Sequence, residues 1–189
     1  MKFISKFIFA CCMYVISMNM FAADTYTFDP NHSYVLWHAS HFDFSHPSGK
    51  WLVNGTLILD KENPDKSKVD ISINVTDLAT GIPEFDKHLK GELFLDVAKY
   101  PTAKFVSDKV IAHGNTAKVQ GMLTLHGVTK PVTLNVKLNK SGVSPVTDKM
   151  TVGFTASTVI KRSEFGITSY LPGVSDEVKI DIEAEAYKQ

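Results

Sequence analysis

Residues 68–76, KVDISINVT, decide the fold class. Val69, Ile71, Ile73 and Val75 fall on one face and Asp70, Ser72, Asn74 and Thr76 on the other, because successive side chains of a strand alternate. Four apolar residues against four polar ones predict a half-buried antiparallel strand with one wet face. The same period recurs in both directions. Upstream, 26–28 reads as a short strand and Asp29-Pro30-Asn31 as a turn. Residues 33–42 alternate, with Val35, Trp37, Ala39 and His41 on one face and Tyr34, Leu36, His38 and Ser40 on the other. The stretch 43–49 is turn-rich, and 51–60 is a strand in which Gly55 predicts a bulge or bend. Downstream, strands are expected at 102–111, 116–125, 130–138, 149–158 and 177–187, with a tight turn at His126-Gly127-Val128, a loop at 139–148 and an irregular segment at 160–173.

One stretch breaks the alternation. Residues 85–101 read FDKHLKGELFLDVAKYP and lie in a connection too long for a hairpin loop. Pro83 precedes it, Asp86 is placed for a helix N-cap, and Gly91 follows Lys90 as a C-cap. A short helix is expected here, closing the barrel over an apolar cavity. Asp86 and His88 would fix the helix, and Leu89, Phe94 and Leu95 would face inward. About eight period-two strands make a sandwich or a closed barrel, and closure removes exposed edges. The fold class is therefore all-β, a single eight-stranded antiparallel barrel with a short helix near its mouth. The interior of such a barrel holds packed side chains or one ligand.

The chain start is read separately. Lys2 and Lys6, the apolar run 7–20 and Phe21-Ala22-Ala23 predict a secretory signal peptide over residues 1–23, leaving one domain over 24–189. Both cysteines, Cys11 and Cys12, fall inside the signal, so the mature chain depends on its core rather than on disulfides. The signal carries two lysines and no acidic residue, which leaves 18 basic and 20 acidic side chains, a net of −2. No basic patch points to nucleic acid.

Motifs for catalysis are missing from the sequence: no cysteine nucleophile remains, and there is no Gly-x-Ser-x-Gly elbow, phosphate-binding glycine loop or His-Glu-x-x-His. No catalytic residue is assigned, and Asp86 with His88 reads as a cap with a local hydrogen bond. His32, His38, His41 and His46 lie close in sequence, but His38 and His41 fall on opposite faces and no carboxylate stands at ligand spacing, so no metal site is expected. The aromatic residues Trp37, Phe42, Phe44, Trp51, Phe94, Phe105, Phe154 and Phe165 either fill a solid core or line a cavity. For a cavity, the expected lining is Val35, Trp37, Ala39, His41, Phe44, Trp51, Leu89, Phe94, Phe105, Phe154, Arg162 and Phe165. Binding pockets are mostly apolar with a few placed polar groups. Arg162, His41 and His88 are the candidates for these, Arg162 either reaching an anionic or carbonyl headgroup or serving in a structural ion pair.

Several runs together resemble the YceI-like, polyisoprenoid-binding family. They are His32-Ser33 with His41, Asp86-Lys87-His88-Leu89-Lys90, Phe94, Asp96, Lys99-Tyr100-Pro101 followed by Phe105 and Ser107, the run from Gly121 to Val132, Arg162-Ser163-x-Phe165-Gly166, and Val174-Ser175-Asp176-Glu177-Val178. The resemblance implies a lipocalin-like extended barrel, export to the bacterial periplasm, and non-covalent binding of a long amphiphilic lipid. A polyprenyl phosphate, a quinone-like isoprenoid or a fatty amide would fit. No cofactor other than that ligand is implied, no nucleic acid partner, and no enzymatic step; transient membrane contact and a homodimer are compatible with it. Many members carry Arg where this chain has Phe85, which would favour a less charged lipid here. The alternatives are an enzyme or accessory in isoprenoid, quinone or redox metabolism, and a stress-related surface domain with a solid core.

Overall fold

The computed structural model describes residues 23–189; the expected signal segment, apart from Ala23, and both cysteines lie outside the described residues. Ten strand segments form one sheet: β1 (Asp24–Phe28), β2 (Tyr34–His38), β3 (Ser48–Leu52), β4 (Asn54–Leu59), β5 (Lys68–Asn74), β6 (Thr102–His113), β7 (Thr116–Leu125), β8 (Val128–Val143), β9 (Met150–Lys161) and β10 (Glu177–Lys188). Every pairing is antiparallel, in the order β1-β4-β5-β6-β7-β8-β9-β10-β2-β3. β1 also pairs with β10, through Tyr26↔Lys188 to Phe28↔Ala186, and this closes the ring.

Both β1 and β2 run along β10, and β3 and β4 are separated by Val53 alone, so two broken strands account for four of the segments. The result is a closed eight-stranded antiparallel barrel, as the alternation predicts. At the break between β1 and β2, Asp29 N–H and the buried Ser33 hydroxyl both donate to the Glu185 carbonyl. Ser33 Oγ in turn accepts the Glu185 N–H, so β10 keeps its partners across the interruption.

Local chemistry sets the boundaries. Gly55 has φ +151°, and a Cβ there would come 2.1 Å from the Asp70 carbonyl oxygen, so only glycine lets β4 approach β5 at this point. His126 and Gly127 both have positive φ and form the two-residue turn of the β7–β8 hairpin, beginning directly after Leu125↔Val128. Several expected boundaries move: β2 ends at His38 rather than at 42, and β3 begins at Ser48, inside the stretch expected as turn. β5 stops at Asn74, whose side chain accepts the Thr76 N–H and starts a 3-10 turn over Val75–Asp77. β8 continues to Val143 past an irregularity between Leu138 and Lys140, so the loop expected from 139 is confined to the residues after Val143.

The expected helix is present as α1 (Pro83–Lys90). Its start is corrected: Pro83 occupies the first helical positions, where no N–H partner is needed, and Ile82 stands at the cap. Asp86 is inside the helix, and its carboxylate reaches back to Thr80, accepting the backbone N–H at 2.7 Å and the hydroxyl at 2.6 Å. Gly91 ends the helix in extended geometry, its N–H donating to the His88 carbonyl. The helix and the turns behind it lie over one end of the barrel, where Leu78 and Leu89 pack with Trp37 and Ala39. The opposite end, called the base, is packed around Tyr26, Phe28, Leu57, Val152 and Ala186.

Candidate ligand cavity

The inward faces of the strands do not meet. They enclose a cavity of about 930 Å³ that runs from α1 to the base. All four apolar residues of the deciding stretch, Val69, Ile71, Ile73 and Val75, line it. So do Val35, Trp37, Ala39 and His41 from β2 and its extension, Phe105 from β6 and Phe154 from β9. Trp51, Leu89 and Phe94 complete this part of the wall. The solid-core alternative is therefore corrected, since the aromatic side chains stand around a space rather than filling it. The volume is within the 300–1,000 Å³ range of small-molecule sites.

Two of the expected lining residues are elsewhere. Phe44 is 91% exposed, at the tip of the turn in which the His41 and Ser45 backbones pair. Alternation does not extend through a turn, and the ring projects outward. Phe165 is 1% exposed but lies outside the cavity, in the 3-10 turn Arg162–Phe165; its carbonyl oxygen is 3.0 Å from His126 Nδ1. It anchors the β7–β8 turn to the segment after β9.

Arg162 touches the cavity wall, yet its guanidinium is largely committed. Nε donates to Ser175 O, Nη1 to Ile167 O and Nη2 to Val174 O, each at 2.9 Å. Burial pushes its pKa below the usual value, with Asp176 opposing that shift. Asp176 is held by the Ser163 N–H and hydroxyl, at 2.9 and 2.8 Å, and the Ser163 N–H in particular lowers its pKa. The expected headgroup role of Arg162 is thus corrected toward the structural alternative, in which it pins the 167–175 segment to the end of β9.

The histidines divide by position. His41 and His88 line the α1 end, His41 edge-on to Phe42 at 4.9 Å and His88 to Phe94 at 5.1 Å. Tyr170 stacks on Phe94 at 5.9 Å. Asp86 and His88 do not pair, since the carboxylate is on Thr80 and the imidazole among these rings. On the outer wall, Asp29, His32 and Glu185 bring donor atoms within 4.8 Å of one another, so the reading that no carboxylate stands at ligand spacing from a histidine is corrected. The His32 Nδ1–Asp29 Oδ2 contact of 2.8 Å raises the His32 pKa and lowers that of Asp29. Alternation from 33–42 located the strand contribution to the cavity. It could not locate Phe85, which enters from α1, or Leu78, Ile167 and Tyr170, which enter from irregular segments.

The sequence and the fold both have relatives. The family model described as the YceI-like domain matches residues 26–186. Protein YceI of Salmonella newport is 40% identical over 159 residues, covering 84% of this chain and 83% of that protein. The structure is similar to that of Burkholderia cenocepacia BcnA, with a TM-score of 0.75 and 24% identity over 84% of this chain and 98% of that one. It is also similar in fold to a polyisoprenoid binding domain from Saccharophagus degradans implicated in plant cell wall breakdown, with a TM-score of 0.65 and 16% identity over 87% and 98% of the two chains. With the matched region spanning nearly all of the barrel, this chain belongs to the YceI-like domain family.

Proposed function

We propose that this protein is a carrier exported to the periplasm, holding one long amphiphilic lipid of isoprenoid type in its barrel without chemical change. The observation that carries this reading is the continuous apolar cavity of about 930 Å³. Its shape favours a chain over a compact molecule. On β10, Ile180 lies opposite Trp37 and Ala186 lies in the basal cluster, six residues further along. At about 3.3 Å per residue that is a path of roughly 20 Å. Each buried CH₂ of a ligand contributes about 0.8 kcal/mol, so a long hydrocarbon chain is held without a charged anchor. The polyisoprenoid named for the Saccharophagus degradans domain is a ligand of this kind.

Binding rather than catalysis is favoured by the lining itself, where His88 has no carboxylate partner, Asp86 being turned to Thr80, and Arg162 is engaged by carbonyls. The positive n-region and apolar run of residues 1–23 support export. The test is mild purification of the exported protein, solvent extraction and mass spectrometry. One long-chain isoprenoid or other lipid per chain is expected. Recovery of none, together with no uptake of added quinone or polyprenyl phosphate by the stripped protein, would refute the carrier.

A further inference from the structure

Exposed apolar side chains from three separate loops gather at the α1 end. Phe44 stands at the tip of its turn, and Phe42 lies two residues before it. The Phe42 N–H donates to the Gly173 carbonyl, and a Cβ at Gly173 would come 2.2 Å from the Phe42 ring. Tyr170, in the same segment as Gly173, stacks on Phe94, and Leu93 is the neighbouring residue of the chain. Phe42, Tyr170 and Leu93 are 48%, 53% and 56% exposed. Phe42 and Tyr170 also line the cavity, so the exposed apolar surface runs without a break into the lumen.

The backbone that presents these rings is strained. Phe42, Asp43 and Tyr170 have φ of +51°, +58° and +61°, in the left-handed region that residues other than glycine seldom adopt. The Ser40 hydroxyl donates to the Asp43 carboxylate at 2.8 Å and the His41 and Ser45 backbones pair, which fixes the first of these turns. Such conformations persist where the surroundings impose them, and they cluster at ligand sites. The charges on the cover are mixed. Lys87 and Lys90 make no ion pair among the described residues, but Glu84, Asp86 and Glu92 share their segment. Whatever meets this end is therefore held by apolar contact rather than by net charge.

Exposed apolar patches mark contacts with proteins or with membranes. Two observations favour a membrane. The side chains are the tips of separate loops, not one strand or helix face, and a ring 91% exposed at a tip enters a soft phase without needing a matching pocket. The patch also rims the entrance of the cavity. A long-chain lipid passing to the lumen through water would expose each of its CH₂ groups, and a mouth pressed to the bilayer avoids that exposure. We infer that the 41–45, 91–96 and 167–174 loops dock the α1 mouth onto a lipid bilayer, with Phe44 and Leu93 entering the acyl boundary, so that lipid passes directly between bilayer and lumen. The inference rests on the carrier reading and adds the surface through which the ligand is exchanged.

The test uses lipid-stripped protein, vesicles of phosphatidylethanolamine and phosphatidylglycerol, and vesicles of phosphatidylcholine alone. A long-chain isoprenoid quinone is supplied either in the vesicles or as a cyclodextrin complex. Wild type is expected to float with both kinds of vesicle, with little change between low and physiological salt. A Phe44→Ser/Leu93→Ser variant, checked for an unchanged melting transition, should bind vesicles roughly ten-fold more weakly and take up vesicle-borne quinone roughly ten-fold more slowly. Its affinity for quinone from cyclodextrin should be that of wild type, since neither side chain lines the cavity. A Lys87→Gln/Lys90→Gln variant should match wild type in every arm. Absence of wild-type flotation, or wild-type uptake from vesicles by the Phe44/Leu93 variant, overturns the inference; binding of cyclodextrin-delivered quinone then leaves the carrier standing. Equal loss of flotation in the lysine variant overturns apolar docking. A wild-type dimer that the Phe44/Leu93 variant cannot form, without flotation, assigns the patch to a second copy and also overturns it. Quinone uptake from neither source refutes the carrier, and flotation alone then decides the docking surface.

Discussion

The barrel wall and the segment that covers one end of it are held together differently. In the wall, each strand except β3 is paired on both sides, and at the base Tyr26, Val152 and Ala186 are fully buried. The cover, residues 77–101 with α1, meets the wall through the Lys50–Ala79 bridge and the packing of Leu78 and Leu89 on Trp37. Its internal order depends on short-range contacts such as Asp86 with Thr80. Regions with fewer buried contacts open at lower free energy than cores. The difference assigns stability to the wall and access to the cover, and each assignment can be broken by substitution.

The largest effect is expected in the basal cluster. Phe28→Ala removes a buried ring, 6% exposed, and should cost about 4 kcal/mol. For a domain of this size that lowers Tm by roughly 10 °C, read by thermal denaturation. Arg162→Ala comes next. It leaves the Ser175, Ile167 and Val174 carbonyls without their charged donor and should cost about 3 kcal/mol in urea unfolding. Arg162→Lys should recover only part of this, because an ammonium cannot span the three acceptors as a planar fork does. Leu89→Ala tests the cover. It should cost about 2 kcal/mol or less in global stability, since the helix can settle inward, yet speed ligand dissociation more than Phe28→Ala does. A loss of stability equal to that of Phe28→Ala, with unchanged dissociation, would erase the distinction between wall and cover.

The smallest effect concerns pH. Hydrogen bonds from Thr80 hold the Asp86 pKa below the usual carboxylate value. Its contribution is therefore fully present above the ordinary carboxylate range and is lost as pH falls through the lowered folded-state value. Protection factors of the α1 amides, the observed exchange rates corrected for the intrinsic rate at each pH, should fall across that acid range in the wild type. In Asp86→Asn, α1 should exchange faster at neutral pH and lose this pH dependence.

The wall was legible because alternation is a direct consequence of strand geometry. The face carrying Val69, Ile71, Ile73 and Val75 is the face that lines the cavity, residue for residue. The same rule assigned Trp37 and Phe154 correctly. It failed at Phe44, where the chain leaves the sheet and parity no longer fixes direction, and at Phe165, which lies in a 3-10 turn. Arg162 was visible as a candidate, but its role depends on carbonyls up to thirteen residues away whose direction is set by the fold of 167–175. The cover was legible as a helix but not in its start: Asp86 has the chemistry of a cap, while Ile82 has the position and Pro83 opens the first turn. What separates a hollow barrel from a solid one is whether opposing inward faces touch, and no local pattern encodes that distance.

The most direct test of the hollow, lipid-holding barrel is to fill it. Ala156 faces the lumen from β9, 7% exposed, between Val136 and Ile182 in the sheet register. Lipid-stripped wild type and an Ala156→Trp variant would be titrated calorimetrically with a long-chain isoprenoid quinone. The expected result is one ligand per wild-type chain, and at least a ten-fold loss in a variant that still melts cooperatively. Equal affinity in the folded variant, or no binding by the wild type, would contradict the account.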